Sequence, residues 1–374
     1  MAIFLLFVGL LLFVSLVVVH EWGHFIAARR GGVEVEEFGI GFPPMAWSKK
    51  LKSGLLLSIN WLPLGGFVKL KGENDSATSK GSFGAAPLKT KVKIMLAGVG
   101  MNLLTAFILL TFLALIGIPK ILEGQYTVAR DTKVIRNDVL IGNVNEDSPA
   151  GKAGLKLQDR VIEIAAANDV QKITNAEQLP EVTKQFAGKD VSITIVRNGT
   201  QQQVSTKLRT VSEVESSKNT NNPKGYLGIS PQEYTIQRST WSAPIVAAGL
   251  IKQFTEATLK GLGGLVTNLF RGNGSEATKQ VSGPIGIFVI LKDGSLLGFE
   301  FILMIIAIIS LTLAIMNALP IPALDGGRLF VTLLFRVMKK PLTKDLEEEI
   351  HGAGFVVLML LFVFITFVDV NRFF

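Results

Sequence analysis

The 374-residue chain has no cysteine and only three histidines, three tyrosines and four tryptophans. Without cysteine there are no disulfides and no thiolate metal ligands, so any bound metal must be held by nitrogen and oxygen. Charged residues make up only 18% of the chain and hydrophobic ones 48%, with a mean hydropathy of +0.42, which is too apolar for an average soluble protein. The chain is still too charged to lie in a bilayer throughout. A mixed membrane and soluble architecture follows. The net charge of +8 would suit nucleic acid, but there is no basic stripe interleaved with aromatics. Lysines and arginines are scattered or flank apolar runs, which reads as charge at a lipid surface, with no nucleic acid partner expected.

Four segments are long and apolar enough to span a bilayer core, which takes about 20 residues. They are residues 2–24, 92–118, 298–319 and 353–369, the last being the shortest. The first is not read as a cleaved signal peptide, because no basic stretch precedes it and no small-residue cleavage site follows it. Arg29, Arg30, Lys49, Lys50, Lys52, Lys69, Lys71 and Lys80 lie between the first two spans, which makes that connection cytoplasmic. Alternation then puts 119–297 outside, 320–352 inside and both chain termini outside. The first and third spans therefore both end at the cytoplasmic face, where their ends can be neighbours.

The first span ends in His20-Glu21-Trp22-Gly23-His24. Residues four apart on a helix sit one turn above each other, so His20 and His24 can share one metal ion. Glu21 points to the adjoining surface and can take a proton from water at that metal. Chance occurrence on a solvated helix is the alternative. Ionisable groups beside hydrocarbon cost about 2.5–3.5 kcal/mol each, which favours the functional reading.

A catalytic zinc usually takes three protein ligands. His351 lies beyond an acidic stretch at the start of the last span and reads as an interfacial histidine. Asp325 is the better third ligand, a lone carboxylate after the third span, preceded by Pro320 and Pro322 and followed by Gly326 and Gly327. Its alternative role is N-cap of the following helix.

These elements together resemble the site-2 protease family of intramembrane zinc metalloproteases, in its bacterial regulator-of-sigma-E-protease branch. The resemblance runs nearly end to end and includes Gly65-Gly66-Phe67-Val68-Lys69, Gly98-Val99-Gly100-Met101-Asn102, Ser282-Gly283-Pro284-Ile285-Gly286 and Asn317 with Pro320 and Pro322. It implies that His20, His24 and Asp325 bind zinc and that Glu21 is the general base. Asn102 and Asn317 would bind substrate or stabilise the oxyanion, although helix–helix hydrogen bonding is an equal reading for Asn102. The segment 55–71, interrupted by Pro63, Gly65 and Gly66, reads as a hairpin dipping toward the bilayer. The resemblance makes it, through Gly65, Gly66 and Phe67, the element that holds an extended substrate by strand addition.

Strand-like runs at 139–144, 160–165, 191–196 and 203–208 mark a soluble region. Asp147-Ser148-Pro149-Ala150 followed by Ala153-Gly154-Leu155 and Asp159-Arg160-Val161-Ile162 resembles one PDZ domain of bacterial proteases, where larger relatives carry two, and Gly225-Tyr226-Leu227-Gly228-Ile229 resembles a strand that follows or completes it. Residues 212–224 read as a flexible linker, and 242–270 as amphipathic helices along the outer surface.

The expected fold is a polytopic α-helical membrane protein of about four transmembrane helices, with a membrane-associated β-hairpin and one extracytoplasmic PDZ-like α+β domain. Its divisions are 1–118, with the HExxH motif and the hairpin; 119–211, PDZ-like; 212–297, linker and amphipathic helices; and 298–374, with the LDGG motif. The resemblance implies a zinc endopeptidase in the bacterial inner membrane that cuts single-span membrane proteins, such as anti-sigma factors or signal-peptide remnants, after an upstream site-1-type protease. A non-catalytic PDZ scaffold is the rival, and intact Glu21 argues against it. A metal transporter would need ionisable residues along successive spans, which the second and fourth spans hardly offer.

Overall fold

The structure, a computed structural model, describes residues 2–220, 223–272 and 282–374. Asn221 and Asn222 of the expected linker, and residues 273–281, lie outside the described residues. The first half of the chain forms α1 (Ala2–Arg30), β1 (Val35–Lys50), β2 (Leu56–Leu70), α2 (Leu88–Ile116), β3 (Ile118–Pro119), β4 (Lys133–Val144), α3 (Pro149–Lys152), β5 (Arg160–Ala166) and β6 (Asp169–Lys172). Then follow α4 (Gln178–Gln185), β7 (Asp190–Arg197), β8 (Thr200–Lys207), α5 (Val211–Glu215), β9 (Ile229–Arg238), α6 (Ala243–Phe270), α7 (Pro284–Leu297), α8 (Phe299–Ala318), α9 (Asp325–Val337) and α10 (Lys344–Phe373). Among the described residues, α1, α2, α8 and α10 are the helices long and apolar enough to cross a membrane, as expected of a polytopic membrane protein. Residues 243–270 form the single helix α6 rather than several.

The chain divides into two compact units. One, mainly Leu113–Ala243, is built on a sheet in the order β3-β9-β4-β5-β7-β8, with β6 on β5. Side chains alternate between its faces, so Val191, Ile193 and Ile195 of β7 all point into a core with Ile141, Ile164 and Phe186. The sheet does not stop at residue 211: β9 pairs antiparallel with β4 from Ile229↔Val144 to Arg238↔Lys133. The expected linker also begins as structure. Thr210 and Glu213 close a capping box on α5, and Val214 is buried.

The other unit comprises Ile3–Phe112, Pro244–Ser295 and Ile302–Phe374. The apolar run of residues 2–19 opens α1, which continues through His20–His24 to Arg30, and Gly32, at φ +75°, ends it while Val33 N–H bonds Ala28 O. The expected hairpin within 55–71 is corrected. The turn lies at Leu51–Leu55, and β1, unsuspected in the sequence, is the partner of β2. Leu56–Ile59 and Gly66–Lys69 of β2 both pair with Glu37–Ile40, so Pro63 and Gly65 (φ +108°) redirect one strand instead of reversing it. Phe38, Leu55 and Leu70 bury against Ala28 of α1 and Ile94 and Met95 of α2, which fixes this sheet beside the end of α1.

Candidate metal centre

His20 and His24 lie on the last turns of α1, and Asp325 opens α9, 301 residues beyond His24. Leu324 is the N-cap of α9, so Asp325 occupies the first helical position and the capping role is not its own. The turn before it is held from outside: His351 Nδ1 accepts the Ala323 N–H at 3.1 Å, with Ala323 at φ +77°. His351 thus braces the loop that delivers Asp325.

Asp325 Oδ2 stands 3.1 Å from both His20 Nε2 and His24 Nε2, and the two nitrogens are 3.2 Å apart. Around an ion in tetrahedral coordination with bonds of about 2.0–2.1 Å, ligand atoms sit about 3.3–3.4 Å apart, so this near-equilateral N₂O set fits zinc. Among the described residues, these three are the one cluster of histidine and acidic side chains with donor atoms close enough to hold a metal.

A stripe of α2 supports the rings from behind. Ile94, Gly98 and Asn102 are four residues apart and so share a face. Ile94 O lies 2.8 Å from His24 Nδ1, and the Asn102 amide lies 3.2 Å from His20 Nδ1. A Cβ at Gly98 would collide with His24 Nε2 and stand 2.6 Å from His20 Nε2, so only glycine leaves room for both imidazoles. Gly23 reciprocates on α1, where a Cβ would meet Ala97 O at 2.6 Å. Close packing thereby explains the first glycine of the Gly-Val-Gly-Met-Asn motif and the glycine of HExxH, whereas Gly100 faces open space and Trp22 is exposed.

Glu21 lines a cavity of about 180 Å³ with His24, Asp325, Gly66, Phe67 and Glu73. Gly66 passes directly over it, since a Cβ there would be 3.2 Å from Glu21 Cγ. Gly66 and Phe67 are therefore beside the centre, whereas Asn317 donates to Leu313 O at 3.0 Å within its own helix. Asn102 is fully buried.

Sequence reasoning missed a set of partly buried ion pairs next to the centre. Arg328, one turn after Asp325, binds Glu73 at 2.6 Å and lies 3.7 Å from Glu347, whose other oxygen accepts Asp75 N–H. Asp75 pairs with the buried Lys91. Burial works against the Arg328 charge, but Glu73, Glu347 and Asp325 together outweigh it and keep the guanidinium protonated. Single charges in loops carry no periodic signal, so only proximity reveals them.

The family model for Peptidase family M50 matches residues 8–361. Relatives include a candidate zinc metalloprotease of Fusobacterium nucleatum, 31% identical over 98% of this chain and 97% of the relative. The zinc metalloprotease RasP of Shouchella clausii is 26% identical (97% and 98% covered), and the regulator of sigma-W protease RasP of Bacillus subtilis 25% identical (98% of each). The chain belongs to peptidase family M50, the site-2 protease family. It is accordingly a membrane zinc metalloprotease.

Proposed function

We propose that the protein is an intramembrane endopeptidase that cuts single-span membrane proteins near the cytoplasmic ends of their spans. The observation that carries this is the triangle of His20, His24 and Asp325 with Glu21 on the same cavity wall. In this reading the three side chains hold zinc, which when bound supplies Lewis acidity toward a carbonyl oxygen and a water molecule. Glu21 takes the proton of the attacking water and passes it to the leaving amine. Ile94 O fixes the His24 ring through its Nδ1–H, leaving Nε2 free to ligate.

A protease must meet extended backbone, because a helix engages its own amides. Among the described residues β2 pairs only with β1, and its Gly66–Leu70 half forms an edge beside Glu21. We assign that edge, with Gly65, Gly66 and Phe67, to strand addition of the substrate. Asn317, at the end of α8 near the Asp325 turn, is assigned to the approaching peptide.

The positive-inside rule sets the centre at the cytoplasmic face and the sheet unit outside a bacterial inner membrane. That unit is read as PDZ-like. The Bacillus subtilis relative is named a regulator of sigma-W protease, which supports an anchored regulator, already trimmed by an upstream protease, as substrate here.

The test is Glu21→Gln in purified protein given a tagged single-span substrate. Cleavage should fall about 10²–10⁴-fold with zinc content unchanged. Undiminished cleavage would sink the reading.

A further inference from the structure

We propose that Asn102 is a positioning residue for His20, accepting the ring's Nδ1–H through its side-chain oxygen and so presenting Nε2 to the metal. This rests on the zinc-centre reading above. An imidazole that ligates through Nε2 carries its proton on Nδ1, so the group behind it must be an acceptor. His24 already meets that condition with the Ile94 carbonyl at 2.8 Å.

At His20, Asn102 Nδ2 lies 3.2 Å from Nδ1, while Asn102 Oδ1 is buried with no partner. An amide nitrogen cannot accept the Nδ1 proton, and the oxygen of the same amide is the atom that could. Nitrogen and oxygen of an amide are close to isosteric, so a half-turn about the terminal bond exchanges them without moving a neighbour. Oδ1 then receives Nδ1–H, and the two histidines become equivalent, each held from behind by an oxygen of α2.

The spacing makes this a designed pair of supports. Residues 94, 98 and 102 on α2 run against 24 and 20 on α1, the first and last supplying acceptors and Gly98 the space between. Asn102 is itself anchored, because its backbone carbonyl accepts Ser310 Oγ–H at 2.8 Å from α8. Its side chain is fully buried, and the contact it makes is with His20.

The experiment measures zinc affinity by chelator competition and the visible absorption of the cobalt-loaded protein, on full-length protein in detergent. Asn102→Ala should weaken zinc about 10- to 100-fold and alter the cobalt bands. Asn102→Asp keeps the acceptor and removes the donor, and should restore affinity and spectrum to wild type. Alanine-variant affinity equal to wild type, or an aspartate variant as weak as the alanine one, overturns the proposal. If the alanine variant does not fold, the aspartate variant decides alone in the same two directions. Wild-type protein that binds no zinc would instead overturn the metal centre itself, which separates the two failures.

Discussion

The sheet unit and the helical unit are held together by different means. In the first, an apolar core closes over antiparallel neighbours, and its most buried charge, Asp159, is met by Arg197 in two bonds of 2.6 and 2.7 Å. In the second, between 6% and 44% of each span's apolar window is buried inside the protein, so most of that surface is left for lipid. The last helix, α10, buries only Glu347 and Asp369. Hydrocarbon is as apolar as leucine, so apolar contact alone does not choose one helix partner over another in a bilayer. Polar pins and glycines choose instead. Asp369 Oδ2 accepts the N–H groups of both Gly283 and Gly286 at 2.8 Å, which accounts for the Ser-Gly-Pro-Ile-Gly motif as the docking point of α10.

This contrast can be broken most severely at the centre. Asp325→Ala should abolish both zinc retention and cleavage while the sheet unit keeps its structure, read by metal analysis beside circular dichroism. Next in size, Asp369→Ala strands two buried amide donors and should lower stability by about 3 kcal/mol, measured by thermal unfolding in detergent. A variant as stable as wild type would show that α10 is held otherwise. Asp159→Ala is the counterpart in the sheet unit. It should cost about 2 kcal/mol, less than a fully buried pair because Arg197 can still reach water, and should leave zinc affinity untouched.

The smallest effect is one of pH. Burial pushes the Asp131 carboxyl up, but donors from Ser242 and Thr240 outweigh it and hold it well below the ordinary value of 3.8. Its contribution to the folded state is thus complete above the ordinary value and is lost as pH falls through the depressed one. Asp131→Asn should flatten the acid limb of unfolding followed by Trp241 fluorescence, and an unchanged limb would contradict this.

How far these features were readable depends on whether their signal is local. His20, Glu21 and His24 lie within one helical turn and were legible outright. Asp325 was reached only by counting spans and following positive charge, an argument about which ends meet. Four strands of the sheet unit were visible as strand-like runs, but only 225–229 was read as completing them, and the length of β9 was hidden because Pro231 and polar residues interrupt it while the polar stretch 212–224 sets it apart. β1 was missed because Pro43 and Pro44 interrupt a segment whose partner gives it form. The capping box at Thr210 and Glu213 was legible and went unread.

The sequence alone was enough to find the four candidate spans, to limit any metal ligands to nitrogen and oxygen, and to propose Glu21 as the base beside them, since each depends on neighbours within a turn or on composition. Only the tertiary structure decided what stands behind each ligand. The support for His24 is a backbone carbonyl, which every residue carries, and the support for His20 depends on which way an amide faces. His351 braces the Asp325 turn and Arg328 binds Glu73 across 255 residues. Residue type limits what a side chain can offer, but its partner is set by which surfaces pack, and that is fixed only when the helices meet.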